Sequence, residues 1–326
     1  MKEEEIRPKK IFEEYLSLTI KDIETYFTNI ELESISCPAC NSSGVFSFEK
    51  EKFTYYECKK CNSMYVNPRP KSEYFNQYYT DSPSTKYWAT TFYKETAAAR
   101  IEKMWKPKAK IINDKIKKFL DSEDFTLIDI GAGYGLFCDE ISKYLKKKPL
   151  AIEPSVHLQE VLEKKGYTVI PKFLEEIIKE DLPHSKKCFT SFELFEHLHS
   201  PKIFMNNLRE IMEAGDYFIF TTLSGTGLDI QVLWENSNSV HPPHHLNFLN
   251  PQSVRLLLEN LGFEIIEITT PGKLDISIME NKIEFVNDRF WKTFLSVSTE
   301  EEKNNMQNYI TDNMLSSHMM IVCKKK

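Results

Sequence analysis

The sequence predicts an α/β fold, a doubly wound, seven-stranded, mostly parallel Rossmann-like sheet, preceded by a small N-terminal zinc ribbon. Three observations carry this. From Leu127 onward, short β-prone runs alternate with helical stretches, as in a parallel sheet covered on both faces. The first of these runs enters a glycine loop, Asp129-Ile-Gly131-Ala-Gly133-Tyr-Gly135. Ahead of it, Cys37 with Cys40 and Cys58 with Cys61 form two Cys-x-x-Cys knuckles separated by 17 residues, a spacing that closes a four-thiolate shell around one zinc ion.

Taken in chain order, residues 9 to 30 place Ile11, Phe12, Tyr15, Leu16, Ile20 and Ile23 at helical intervals. Val45–Phe48 and Phe53–Tyr56 are β-prone runs around a charged turn, Glu49–Lys52, which predicts a zinc-clasped hairpin. Asn67-Pro-Arg-Pro70 breaks regular structure. The aromatic stretch Tyr74 to Tyr93 then leads into helix over 94 to 120. Strands are expected at Leu127–Ile130, Leu150–Glu153, Thr168–Ile170, Cys188–Phe192, Tyr217–Thr221, Phe263–Thr269 and Met319–Cys323. The last two, flanking a helical excursion at 280 to 310, are expected to form an antiparallel edge hairpin. The domain reading is 1–36 a helical segment, 37–80 the ribbon and 81–326 the α/β domain.

Composition bounds the function. The 326 residues, 41% hydrophobic and 28% charged, suffice for one large domain with an appendage and do not suggest disorder. The start MKEEEIRPKK has no apolar core for a signal segment, and no run is long enough to span a membrane, so a cytoplasmic protein is expected. Cys138, Cys188 and Cys323 are isolated among apolar residues and read as buried small hydrophobes. A net charge of −6 advertises no general affinity for polyanions, and the runs Lys146–Lys148 and Lys324–Lys326 read as solvated ends.

The glycine loop calls for a cationic ligand. A dinucleotide would lay its pyrophosphate on the following helix N-terminus, and a carboxylate two residues before the first glycine would repel it. Asp129 occupies that position and favours a sulfonium or ammonium group instead. Glu153 ends the second strand, where a carboxylate accepts hydrogen bonds from two ribose hydroxyls.

These residues resemble the class I S-adenosylmethionine-dependent methyltransferases. Leu127–Phe137 (LIDIGAGYGLF) resembles their glycine motif, Ala151–Ser155 (AIEPS) their ribose-binding strand end, and Ser191–Pro201 (SFELFEHLHSP) their fourth-strand segment. The resemblance spans about residues 94 to 326 and implies the methyltransferase variant of the Rossmann-like fold, with Asp129, Gly131, Gly133, Gly135 and Glu153 contacting S-adenosylmethionine. The CPAC, CKKC and NPRP segments resemble a zinc ribbon fused to bacterial members acting in sugar, polysaccharide or secondary metabolism. One departure is Lys187-Cys188 where many members carry Asp, and Glu175 and Glu176 are the candidates for the adenine-side acid.

A second constellation is Glu193-x-x-Glu196-His197 at the end of the fourth strand. Its spacing is similar to that of metal-dependent O-methyltransferases, including ubiquinone-pathway and small-RNA 3′-end enzymes, in which a downstream histidine completes the site. Here His241-Pro-Pro-His244-His245 supplies it, with His245 preferred over His244. Two readings stand side by side: Glu193, Glu196, His197 and His245 hold a second divalent ion, or His245, His244 and His197 serve acid–base catalysis without metal. A bland reading, a helix-start acid with packed histidines on a proline-stiffened loop, competes with both.

A hydroxyl acceptor requires removal of its proton, so the crowded histidines favour O-methylation of a small metabolite or sugar. The acceptor pocket is expected to draw on Tyr74 to Tyr93, Ser224 to Asn247 and Phe285 to Phe294. The rival acceptor is RNA, clamped by Tyr55, Tyr56, Lys59, Lys60, Tyr65 and Arg69 of the ribbon. A third reading is a non-catalytic, donor-binding assembly subunit. For the ribbon itself, a structural zinc standing in for a core too small to form alone is the simpler role.

Overall fold

A computed structural model describes residues 1–120 and 124–326. The chain forms two compact units that interleave in sequence. One comprises Met1–Arg100, Leu223–Ser253 and Thr270–Met319; the other comprises Ile101–Thr222, Val254–Thr269 and Met320–Lys326. The predicted helix over 94 to 120 is realised as Tyr93–Arg100 and Lys106–Phe119, joined by a π-helical turn at Ile101–Trp105.

The second unit is built on the seven-stranded sheet. Its strands are β1 (Phe125–Ile130), β2 (Leu150–Ile152), β3 (Thr168–Ile170), β4 (Lys186–Ser191), β5 (Tyr217–Leu223), β6 (Phe263–Thr269) and β7 (His318–Lys325), in the order β6-β7-β5-β4-β1-β2-β3. The pairs among β1 to β5 are parallel, while β6 and β7 are antiparallel, with Ile268 opposite Ile321. Every residue of β5, YFIFTTL, is buried, the continuous apolar run that a strand covered on both faces requires. The helix Lys106–Phe119 buries Ala109, Ile112 and Ile116 in a core shared with Leu127, Phe137, Cys188, Ile219 and Val322. Cys138, Cys188 and Cys323 are all buried, as expected of small apolar side chains.

In the first unit, the helix Lys9–Tyr26 stops earlier than residue 30, with the Phe27 N–H bonded to Ile23 O at 3.0 Å and Asn29 in the left-handed region. The ribbon hairpin pairs Gly44–Lys50 with Phe53–Cys58. The expected four-residue turn is shorter: the strands run to Lys50 and Phe53, leaving Glu51 and Lys52 as a two-residue turn, both at positive φ. Two further strands complete this sheet, Met64–Val66 against the hairpin and Asn247–Phe248 at the edge. The chain after the histidine run is thereby a strand of the ribbon sheet, with Asn247 opposite Tyr65 and Phe248 opposite Met64. Phe48, Phe53, Tyr55, Val66, Leu246 and Phe248 share one core.

Candidate functional site

In the sheet unit, the three loop glycines all have positive φ, +73° at Gly131, +56° at Gly133 and +69° at Gly135. A side chain at Gly135 would strike Leu162 Cδ2 at 2.6 Å, so this position is closed by packing as well as by conformation. At Gly133 nothing lies within 4 Å of where a Cβ would stand, which leaves the loop open above it. The Glu153 carboxylate accepts from Gly133 N–H at 2.8 Å and from Ser155 N–H at 3.0 Å. Burial raises its pKa, an effect partly offset by these two bonds.

Asp129 lies opposite Thr190 in the β1–β4 register, and that alignment explains its partner: Thr190 Oγ1 donates to Asp129 Oδ1 at 2.8 Å. Cys138 Sγ approaches the other oxygen at 3.5 Å. The carboxyl is 3% exposed, and burial pushes its pKa up to about 7. An ordinary carboxylate near 4 becomes a group that a neighbouring cation would restore to the ionised form. Glu175 and Glu176 are exposed, and Glu176 Oε2 accepts from Phe173 N–H at 2.9 Å.

Beyond β4, Glu193 adopts φ +54°, uncommon for a residue with a side chain. Its Oε1 accepts from Lys108 Nζ at 2.7 Å and from Thr221 Oγ1 at 3.1 Å. Lys108 is itself buried, its ammonium over the rings of Trp105 and Phe192. The sequence reading missed this lysine; the only signal was a lysine on the apolar face of a helix. Glu196 is buried and accepts from Thr222 Oγ1 at 3.0 Å. Burial, followed by the nearby Glu193 charge, pushes its pKa up to about 8. His197 is half-buried on the turn Phe195–His197, its N–H bonded to Leu194 O at 3.0 Å.

In the ribbon unit, Cys37, Cys40, Cys58 and Cys61 converge, their sulfurs all within 4.8 Å of one another. Cys37 and Cys61 are 3.6 Å apart and Cys40 and Cys58 are 3.4 Å apart. A tetrahedral shell with zinc–sulfur bonds of about 2.3 Å needs sulfurs about 3.8 Å apart, so the donor set fits zinc. The two knuckles are copies of one turn. In each, the first cysteine's N–H bonds to a serine carbonyl, Ser42 or Ser63, and the following asparagine, Asn41 or Asn62, takes positive φ. The repeated Cys-Asn-Ser is the sequence signal for this symmetry.

The histidine run is anchored to the same ribbon. Val66 N–H bonds to Leu246 O at 3.0 Å, Tyr55 OH donates to His245 O at 3.1 Å, and Asn250 Nδ2 donates to Cys61 O at 2.7 Å. His244 is buried, its Nε2 2.8 Å from Tyr78 OH and its ring stacked on His241. His245 is half-buried, with Nδ1 2.6 Å from Ser239 O. A carbonyl only accepts, so Nδ1 carries the proton and Nε2 the lone pair, the tautomer of a base or metal ligand. Of the six residues expected to clamp RNA, Tyr55, Tyr65 and Arg69 are buried, with Arg69 Nη2 donating to Asn247 Oδ1 at 3.2 Å. Tyr56, Lys59 and Lys60 remain at the surface.

A family model described as a methyltransferase domain matches residues 92–268, more than half of the chain. The chain belongs to the methyltransferase-domain family. Within that family it is similar to the mitochondrial ubiquinone biosynthesis O-methyltransferase of Dictyostelium discoideum, 24% identical over 136 residues that cover 36% of this chain and 42% of that one. The chain thus spans less than half the length of the curated relative it matches. Among solved structures it is similar to an S-adenosylmethionine-dependent methyltransferase of Thermotoga maritima described as a possible histamine N-methyltransferase, with TM-score 0.44, 14% identity and coverage of 73% of this chain and 98% of that one. It is also similar to the plantazolicin methyltransferase BpumL, solved in complex with a triazolic desmethylPZN analog and SAH, with TM-score 0.49, 13% identity and coverage of 77% of this chain and 95% of that one. No helix among the described residues of this methyltransferase-domain chain is long and apolar enough to cross a membrane.

Proposed function

We propose that the protein is an S-adenosylmethionine-dependent methyltransferase that methylates a hydroxyl of a small metabolite or sugar. The observation that carries this is Glu153, a buried carboxylate beside the open Gly133 turn and one strand from Asp129. By this reading the Glu153 carboxylate receives the ribose hydroxyls, and the Asp129 carboxylate favours the cationic donor. When bound, the donor supplies an electrophilic methyl on a positively charged sulfur. The protein's part is to hold donor and acceptor in line, keep water out and accept the hydroxyl proton. His245, whose Nδ1 lies against Ser239 O, is the residue we assign to that proton, ahead of His244, which is buried with its Nε2 on Tyr78 OH. Cys37, Cys40, Cys58 and Cys61 would hold a structural zinc ion.

The motif spacing of Glu193, Glu196, His197 and His245 supports a second version, in which a divalent ion lowers the acceptor pKa. Calorimetry and turnover assays separate the versions. Donor binding lost in Glu153→Ala supports the methyltransferase reading, and unchanged binding refutes it. If a metal is required, chelation mild enough to spare the thiolate-bound zinc abolishes turnover, and magnesium or manganese restores it. If a base is required, turnover survives chelation and falls as pH drops through a histidine range. Full activity in both His197→Ala and His245→Ala variants removes either role.

A further inference from the structure

The ribbon unit contains a cleft of about 220 Å³ that none of the residues discussed so far explains. Its walls come from the helix Lys9–Tyr26, the hairpin end at Lys50, the segment from Glu235 to Pro242 and the turn at Lys282 to Phe285. Two ammonium groups face it. Lys50 and Lys282 are both half-buried, and among the described residues neither has a carboxylate within ion-pair distance. Lys50 donates to Ser237 O at 2.9 Å, which leaves two of its three N–H donors for other partners. Lys282 rests over the Phe285 ring.

Enclosed cations are ordinarily paired, because desolvating a charge without a counter-ion is costly. Here the acids of the cleft, Glu51 and Glu235, are exposed. Burial and the Lys282 charge together lower the Lys50 pKa to about 8, and the two acids only partly offset them. The half-buried side-chain amides of Asn236 and Asn238, which line the same cleft, also have no partner among the described residues. Two ammonium groups without a carboxylate partner and two uncommitted amides around one cleft favour an anionic, hydroxylated occupant.

We propose that this cleft binds a small hydroxylated acid, with its phosphate or carboxylate between Lys50 and Lys282 and its hydroxyls on Asn236 and Asn238. The site stands on the ribbon unit alone and does not depend on the methyltransferase reading. Its link to that reading is His241, which lines the cleft and stacks on His244. An acidic acceptor is therefore the occupant that would give the cleft a place in methyl transfer.

Calorimetry on the full chain tests it with glycerol 3-phosphate, glycerate and neutral glycerol as probes. At least one acid binds at a single site and glycerol does not; the preferred acid distinguishes phosphate from carboxylate. Lys282→Met lies near the surface and weakens binding about tenfold or more, as loss of a charge-assisted contact should. Lys50→Met does the same, with its melting temperature recorded to separate misfolding from lost affinity. Glu235→Gln leaves binding unchanged or strengthens it. Absence of binding by both acids, equal binding of glycerol, or an unchanged affinity in Lys282→Met overturns the proposal. Donor binding measured in the same Lys282→Met protein stays intact, so failure here and failure of the methyltransferase reading are distinguishable.

Discussion

The glycine loop and the histidine run differ in how the chain assembles them. Asp129 lies on β1, the three glycines follow it and Glu153 follows β2; the parallel register of these two strands, with the Gly131 N–H on Ile152 O and the Gly133 N–H on Glu153, brings them together. The histidine run is set by partners far away in sequence: Tyr55 of a ribbon strand on His245, Tyr78 of the helix Ser72–Asp81 on His244, and Val66 and Cys61 on the flanking Leu246 and Asn250. The first arrangement is local chemistry on a regular scaffold. The second depends on a cysteine-knuckled sheet whose edge strand, Asn247–Phe248, lies opposite Met64 and Tyr65 and arrives far later in the chain. A four-cysteine ribbon that looks like an appendage is the support on which the histidine loop rests.

The largest effect expected from this contrast is on removing the zinc. Thiolate zinc sites in small modules contribute apparent binding energies of about 10–16 kcal/mol, much of which is folding energy. The Cys37→Ser, Cys58→Ser double variant should lose stoichiometric zinc by metal analysis and lose amide exchange protection at Met64–Val66 and Asn247–Phe248, while β1 and β4 retain theirs. Unchanged protection at Asn247 and Phe248 would break the comparison. On the other side, Glu153→Ala should weaken donor binding at least tenfold by calorimetry if its carboxylate receives the ribose hydroxyls as proposed, such charge-assisted bonds together being worth about 1.5 to 3 kcal/mol.

The pH dependence sharpens the contrast further. With the Asp129 pKa held near 7 by burial, the ionised form that attracts a cation is lost as pH falls through 7. Donor affinity should therefore drop by roughly tenfold per pH unit well below that point. Stability runs the opposite way: the unfolded chain loses this proton near pH 4, so between about pH 4 and 7 the folded state loses stability as pH rises. Asp129→Asn should abolish both trends, showing flatter affinity and a higher melting temperature at pH 8. The smallest effect belongs to Tyr55→Phe, which removes one hydrogen bond to His245 O; a loss of about 0.5–1.5 kcal/mol by denaturant melting is expected. A larger loss would mean that this single bond anchors more of the histidine run than its own geometry suggests.

How much could be read in advance follows the same division. The sheet was legible because period, glycine and acid are local signals: all seven strands begin within two residues of where the runs of Val, Ile, Phe and Leu place them, and β7 pairs antiparallel with β6 as expected. The two knuckles were legible from spacing. What was not legible was pairing at a distance. Nothing in Asn247-Phe248 announces that it will lie beside Met64 and Tyr65, since a two-residue strand has no period. Tyr55, Tyr65 and Arg69 read as surface aromatics and a surface cation because a hairpin alone leaves one face open; the edge strand and the segments around it bury them. Lys108 was hidden for a related reason. A lysine among apolar residues looks like a solvated break in a helix face until Glu193 is found opposite it.

The interleaving of the two units has a consequence for synthesis. The ribbon unit needs Met1–Arg100, then Leu223–Ser253, then Thr270–Met319. During translation the four cysteines leave the ribosome first and can capture zinc while most of the chain is still unmade. The strand Met64–Val66 must then wait, with one edge unpaired, until Asn247 and Phe248 emerge. At about 5–20 residues per second that interval is roughly ten to forty seconds. If the four cysteines take up zinc as proposed, an early clasp would hold the waiting edge in register, and zinc supply during growth would then set how much chain reaches the folded state.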